Sequence, residues 1–447
     1  MSNKADLVTM NQETKRELKP KLRFPEFHGG WGNQRLGEIA VVITEKAGNK
    51  KYTLMSITSG VGLVTQMEKF GREIAGSQYK NYLVIRENDF AYNKSATKEC
   101  PEGFIAIYSG TEAAAVPKSI FTCFRVQDNR VFPQYLNYLF LGNLHGKWLR
   151  KFITVGARAH GSLNVDNEDL LSLPVPLPEG STSLNEQQKI AGCLSSLDDR
   201  LAAETQKLGT LKDHKKGLMQ QLFPAEGETL PKLRFPEFGD AGEWEVRKLG
   251  ELLLNRPDYG VNAAAVTYSG ALPAYLRITD ISDEGYYLCE KKVSVDIEAK
   301  DENYLNEGDI VLTRTGASVG KSYKYRKEDG KLVFAGFLIR IKPDQKKIDS
   351  TFLSNYISTK QYWNWVSANS ARSGQPGING NEYATLPVPI PPSEKDLGRL
   401  SEQQKISDCL SSIDELITAQ TQKINTLKVH KKGLMQQLFP ALDEVKG

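Results

Sequence analysis

From Ile190 onward the apolar residues recur at alternating steps of four and three: Ile190, Leu194, Leu197, Leu201, Leu208, Leu211, Leu218 and Leu222. This is a heptad seam, and it predicts a long amphipathic helix whose apolar stripe faces another helix. The pattern returns at Ile406, Leu410, Ile413, Ile417, Ile424, Leu427, Leu434 and Leu438. Both seams are interrupted at the same two places, by Glu204 and Lys215 in the first and by Gln420 and Lys431 in the second. Polar residues in such a seam fix register and partner at some cost in stability. A helix of this size, rising ~1.5 Å per residue, would run roughly 50 Å, more than half of one domain can cover. Pairing of the two helical arms with each other is therefore expected, rather than packing of each on its own domain.

The arms are also copies in sequence. Residues 185–225 and 401–441 agree at 29 of 41 positions without a gap, and the octapeptide PKLRFPEF stands at Pro20–Phe27 and again at Pro231–Phe238. The chain is thus two copies of one unit. A unit-arm-unit-arm order related by a pseudo-twofold places the arms in an antiparallel coiled coil. The expected divisions are a flexible tail at 1–19, a first domain at 20–178, a first long helix at 179–223, a linker at 224–236, a second domain at 237–392 and a second long helix at 393–447. Each arm ends in a basic cluster, Lys212, His214, Lys215 and Lys216 in one and Lys428, His430, Lys431 and Lys432 in the other, before Pro224 and Pro440 stop the helix. A solvated helix end with favourable dipole placement accounts for any single lysine. Duplication of the whole cluster points to a shared surface that docks a partner or contacts phosphate.

The middles, at about 28–172 and 239–385, are not repeated to the same degree. Fixed ends with varied middles suit one shared partner and two different targets. Short β-branched and aromatic runs at Tyr82–Arg86, Phe104–Tyr108, Ser119–Val126, Asp309–Thr315 and Lys331–Ile341 predict strands, while Pro133–Lys151 and Ser350–Ala368 look helical. LPVPLP at Leu173–Pro178 and LPVPIPP at Leu386–Pro392 are extended exits. The fold class expected is α+β: two domains, each with a small twisted sheet and helices, separated by the two long helices.

Composition adds bounds. With 447 residues, 40% hydrophobic and 25% charged, the chain is ordinary globular material. No apolar stretch approaches the ~18 residues of a spanning helix, and the N-terminus lacks the apolar core of a secretory signal. Cys100, Cys123, Cys193, Cys289 and Cys409 are scattered with no metal or disulfide spacing, which fits a reducing cytoplasm. A net charge of +4 tilts toward an acidic partner without identifying one.

Two pairs of segments carry candidate chemistry. Asn88–Ser95 answers Gly308–Thr315, each an Asp entering a strand whose far end is polar and cationic: Tyr92, Asn93, Lys94 and Ser95 in one, Thr313, Arg314 and Thr315 in the other. Gly156–Asn164 answers Ser370–Asn379, loops that hold Arg158, His160, Ser162 and Asn164, and Arg372, Ser373, Gln375 and Asn379. Arg or Lys can fork onto guanine, Asn or Gln onto adenine, and glycines let backbone approach phosphate. Polar glycine-rich loops sit on most protein surfaces, so either loop alone would be weak. Recurrence in both middles favours a duplicated DNA-binding surface. Thr315–Ser322 ends in GKS but has three residues between its glycines where a phosphate loop needs four, so Lys321 is assigned to a DNA-facing or hairpin loop. No methyltransferase, nuclease or metal motif is present, so catalysis by this chain alone is not expected.

Repeated arms, PKLRFPEF openers, LPVPLP exits and EQQKI helix starts together resemble the specificity subunit of Type I restriction-modification systems, over nearly the whole chain after the tail. The resemblance implies that each middle is a target recognition domain reading one half of an asymmetric bipartite site in double-stranded DNA. It puts Lys94, Ser95, Arg158, His160 and Asn164 at the first half-site, and Arg314, Lys321, Arg372, Gln375 and Asn379 at the second. It further implies that the paired helices space the domains and dock two methyltransferase subunits, which nuclease and translocase subunits join. This chain would bind no cofactor itself; S-adenosylmethionine, and ATP with magnesium for restriction, would serve the partners. A coiled-coil scaffold binding only proteins is the alternative, distinguished by whether the middles bind duplex DNA with salt-dependent affinity.

Overall fold

A computed structural model describes residues 18–58, 60–153, 163–372, 374–392 and 400–440. It divides into two compact units, Met1–Thr205 with Lys423–Gly447, and Gln206–Gln422. This differs from the expected division, which set the helices apart as domains of their own. The helices run Ser183–Leu222 and Ser401–Leu438, and each passes from one unit to the other near its middle. Half of each arm packs with each globular middle, because the apolar ends of both arms complete the domain cores. In unit 1, Ile190, Leu194, Leu438 and Phe439 are buried in one cluster with Trp31, Leu136 and Tyr135. In unit 2, Leu222, Phe223, Ile406 and Leu410 join Trp244, Phe352 and Tyr356.

Within each unit the arm segments run antiparallel and are held at the polar seam positions. Lys431 pairs with Asp198, and Lys423 with Glu204 at 2.6 Å, in unit 1. In unit 2, Lys215 sits 2.7 Å from both carboxylate oxygens of Asp414. The seam lysines are therefore register-fixing ion pairs within the bundle.

The octapeptide explains its own repetition. Arg23 forks onto the buried Glu186 carboxylate, 2.8 Å to each oxygen, and donates to the Gly29 carbonyl, while the Leu22 N–H donates to the Gln437 carbonyl at 2.9 Å. Arg234 does the same with Glu402 and Gly242, and the Leu233 N–H reaches the Gln221 carbonyl. One short segment thus ties the first turn of one arm to the last turn of the other. Gln187 and Gln403, the next residues of EQQK, are buried and accept from the N–H groups of Phe132 and Asp349, which precede the helices Pro133–Leu141 and Ser350–Tyr356.

Each unit holds the same three sheets in outline. Trp31–Arg35 pairs antiparallel with Pro174–Pro178, and Glu245–Lys248 with Pro387–Ile390. Prolines at 174, 176 and 178 occupy every second position, so the intervening Val175 and Leu177 keep the N–H groups the pairing needs. A four-stranded antiparallel sheet follows in the order Ala40–Val42, Phe121–Val126, Phe90–Asn93, Phe104–Ile107; its counterpart is Asp258–Tyr259, Leu338–Ile341, Ile310–Thr313, Ser322–Lys324. The third sheet diverges. Thr53–Thr58 lies parallel to Ala114–Val116 as Ala274–Leu276 does to Leu332–Phe334, but Leu83–Ile85 extends it on one side in unit 1, and Ala265–Thr267 on the other in unit 2.

Several predicted elements break where the chain must turn. Lys331–Ile341 is two strands in two sheets, Leu332–Phe334 and Leu338–Ile341, with a corner at Ala335–Phe337. Pro133–Lys151 is two helices, Pro133–Leu141 and Leu144–Leu149, parted where Asn143 adopts φ +62°. Ser350–Ala368 is likewise Ser350–Tyr356 and Lys360–Ser370. His145, on the helix Leu144–Leu149, is wholly buried edge-on to Tyr92 and Phe140, with Nε2 3.2 Å from the Gly103 carbonyl. Burial holds its pKa down at about 4.

Two outcomes follow. Arg234→Ala leaves Glu402 buried without its cation and should lower the stability of unit 2 by about 3–5 kcal/mol in urea unfolding; an unmoved transition would rule out the clamp. His145 is depressed in the folded state relative to its ordinary 6.5, so its contribution is complete above pH 6.5 and lost as pH falls toward 4. The urea midpoint of unit 1 should accordingly fall between pH 7 and 4.5, and His145→Leu should show a smaller fall over the same window.

Candidate nucleic-acid interface

In both units the central strand of the antiparallel sheet starts at a buried aspartate that follows a residue of positive φ, Asn88 (+68°) or Gly308 (+89°). Asp89 accepts from the Arg86 N–H and is held by Arg125 at 2.6 and 2.7 Å. Asp309 accepts from the Asn306 N–H at 2.9 Å and faces Arg340 at 3.6 Å; its burial pushes the carboxyl above the usual range. These pairs lock one end of the strand. The other end delivers Asn93, Lys94 and Ser95, or Arg314 and Thr315, to the surface.

Two residues expected at that surface are not on it. Tyr92 is fully buried and its hydroxyl donates to the Glu102 carbonyl at 2.9 Å; burial raises its pKa. Thr313 is also fully buried, and its hydroxyl donates to the Ser318 carbonyl. Both faces of this strand are covered, Phe90, Ala91 and Tyr92 in one unit and Ile310 through Thr313 in the other all being buried, so the two side chains support the loop and cannot touch a ligand. Asn93 accepts from the Ser95 N–H at 3.0 Å and shapes the corner.

The second set of loops meets the first. The Leu163 N–H donates to the Lys94 carbonyl at 2.7 Å, which brings the exposed Asn164 beside Lys94. In unit 2 the Ile378 N–H donates to the Arg314 carbonyl at 2.9 Å, the Gly316 N–H to Pro376 at 3.0 Å, and Thr315 bridges Gly377. Gly316 sits at φ +81°, and a Cβ there would meet the Gln375 amide nitrogen at 3.0 Å. Gln375 is exposed at this junction. Arg158, His160, Ser162 and Ser373 lie outside the described residues.

The remaining positions separate. Lys94 and Arg314 have no carboxylate partner among the described residues, so their charge is available. Lys321 is paired with Asp283, and Arg372 with Glu382 at 2.5 Å. Asn379 caps the short helix Gly380–Tyr383, its side-chain oxygen accepting from the Glu382 N–H at 3.0 Å. The residue doing this in unit 1 is Asp166, before Asn167–Leu171. As a helix cap the counterpart of Asn379 is therefore Asp166, although the matching bonds of Leu163 to Lys94 and of Ile378 to Arg314 set Asn164 level with Asn379. The glycine-rich Thr315–Ser322 segment is the turn of the hairpin between Ile310–Thr313 and Ser322–Lys324, not a strand-to-helix phosphate loop. The sequence pattern gave no sign of Tyr259: its half-exposed ring lies 5.0 Å under the Arg314 guanidinium, and its hydroxyl accepts from the Gly380 N–H. An aromatic plane holding an unpaired arginine fits recognition of a base or phosphate.

On the arms, Lys215 and Lys431 are half-buried in the seam pairs and offer no free charge outward. Lys212 pairs with Glu284 at 3.0 Å. His214, Lys216, Lys428, His430 and Lys432 are exposed. No helix among the described residues is long and apolar enough to cross a membrane.

Residues 241–429 match the family model of the Type I restriction modification DNA specificity domain. A putative type I restriction enzyme MjaX specificity subunit of Methanocaldococcus jannaschii is 24% identical over 98% of this chain and 100% of its own length. The type I restriction enzyme MjaVIII specificity subunit of the same organism is 25% identical over 67% of this chain and 69% of its own. The fold is similar to that of the Type-I restriction-modification S subunit from M. genitalium, with a TM-score of 0.55 and 13% identity over 95% of this chain and 100% of that one. It is also similar to a chain from a structure of type I R-M complex assembly and conformational transition, with a TM-score of 0.53 and 18% identity over 93% and 99%. Residues 241–429 are thus a Type I restriction modification DNA specificity domain, and the chain as a whole is similar in sequence and fold to type I restriction-modification specificity subunits.

Proposed function

We propose that the chain is the DNA-reading subunit of a type I restriction-modification complex, each unit reading one half of an asymmetric bipartite site. One observation carries this: the same loop junction is built twice, around Lys94 with Asn164 and around Arg314 with Gln375, on domains whose other surfaces diverge. Equal scaffolds with unequal side chains suit two different short sequences. The arms, alike at 29 of 41 positions in the two copies, dock two methyltransferase subunits and set the gap between the half-sites, and nuclease and translocase subunits join that core. The chain contributes base and phosphate contacts and no catalytic group. The partner flips and methylates adenine with S-adenosylmethionine, and ATP with magnesium serves restriction in the translocating subunit.

Arg314 lies ready to fork onto guanine, with Tyr259 fixing its plane. Lys94 is a compact charge suited to phosphate or a guanine edge.

The test is to express the chain with the methyltransferase subunit of its system and map N6-methyladenine across a host genome. A single bipartite motif is expected, and exchange of residues 28–172 for those of another specificity subunit should change one half of it only. Methylation at no shared motif, or a motif indifferent to the exchange, would sink the proposal. Arg314→Ala should weaken binding of the mapped duplex by about 1–3 kcal/mol and relax discrimination at one base pair of the other half-site. Uniform weakening on every sequence, with a shallower salt dependence, would make it a phosphate contact instead.

A further inference from the structure

Beside each unpaired cation the chain makes a tight corner that ends in an exposed apolar side chain. In unit 2 the corner is Ala335–Leu338: the Leu338 N–H donates to Ala335 and the Gly336 N–H to Val261, each at 2.8 Å, and the Arg314 N–H donates to the Phe337 carbonyl at 3.1 Å. Phe337 is 59% exposed. In unit 1 the corresponding corner precedes Phe121–Val126; there the Lys94 N–H donates to the Ile120 carbonyl at 3.0 Å, and Ile120 is 40% exposed.

Single exposed apolar residues are common on protein surfaces and need no explanation. These two differ because both domains place one at the same hydrogen-bonded position, on a backbone pinned to the residue that carries the free cation. An aromatic side chain carried on backbone pinned to that of an arginine offers an apolar surface at a set place on the loop. In the major groove the apolar feature of a base edge is the C5 methyl of thymine.

We propose that Phe337 is a specificity-determining residue that packs on a thymine methyl group in the half-site read by unit 2, with Ile120 in the equivalent role in unit 1. This rests on the DNA-reading function proposed above. Arg314 and Phe337 would then read adjacent positions, one by hydrogen bonding and one by apolar contact.

The test uses the full chain with its methyltransferase subunits, and duplexes carrying the mapped motif in which each thymine is replaced in turn by deoxyuridine, which removes only the methyl. At one thymine of the half-site assigned to residues 239–385, the wild-type complex should bind the uracil duplex roughly three- to fourfold more weakly, the worth of one buried methyl. Phe337→Ala should bind the two duplexes equally while its thermal unfolding is unchanged, and Phe337→Leu should keep part of the difference. Undiminished discrimination in Phe337→Ala, or no uracil-sensitive thymine in that half-site, would overturn the inference while leaving the function intact. If the wild-type complex showed no sequence-dependent binding at all, the underlying function would fail and the inference with it.

Discussion

The buried arginine-glutamate fork at the base of each unit is the contact on which the rest of the arrangement depends. Glu186 and Glu402 stand in the first turn of an arm, almost without solvent, and each is made tolerable there by Arg23 or Arg234 of the octapeptide. A buried carboxylate without its cation would cost several kcal/mol. Because the same octapeptide hydrogen-bonds the last turn of the other arm, the ion pair also fixes which helix end lies against which helix start. Gln187 and Gln403 then orient the helices Pro133–Leu141 and Ser350–Tyr356 on that base. A helix pair, a domain and a linking segment are thus set by three neighbouring side chains, which accounts for the exact return of PKLRFPEF and EQQK in the two copies.

The seam ion pairs extend this logic along the arms. Lys215 with Asp414, and Lys431 with Asp198, join residues at matching places in the two copies. A purely apolar stripe tolerates sliding by a heptad, whereas a lysine that must meet one aspartate does not. In unit 1 the Tyr138 hydroxyl also donates to Asp198 at 2.9 Å, so the register is communicated to the domain helix.

The domains divide their residues between support and display. The central strand is anchored at its start by a buried aspartate-arginine pair and presents its last residues at a loop junction. Inward-facing Tyr92 and Thr313 spend their hydroxyls on backbone carbonyls, which keeps the junction in one shape while leaving Lys94 and Arg314 unpaired. The third sheet is the element whose strand order differs between units. Divergence there and in the loops changes what a domain offers without disturbing the antiparallel sheet or the arms.

Much of this was legible in the chain itself. The heptad steps, the interrupted seam positions and the copied octapeptide fix two long helices and a duplicated unit, because helical periodicity and identity are local properties of sequence. The paired prolines in LPVPLP announce an extended segment for the same reason. Tertiary structure alone decided which polar side chains meet: that Tyr92 and Thr313 face inward, that Lys215 and Lys431 are consumed by aspartates about two hundred residues away, that Asn379 caps a helix as Asp166 does, and that Tyr259 lies beneath Arg314. Burial and pairing depend on residues far apart in the chain, and no local pattern carries them.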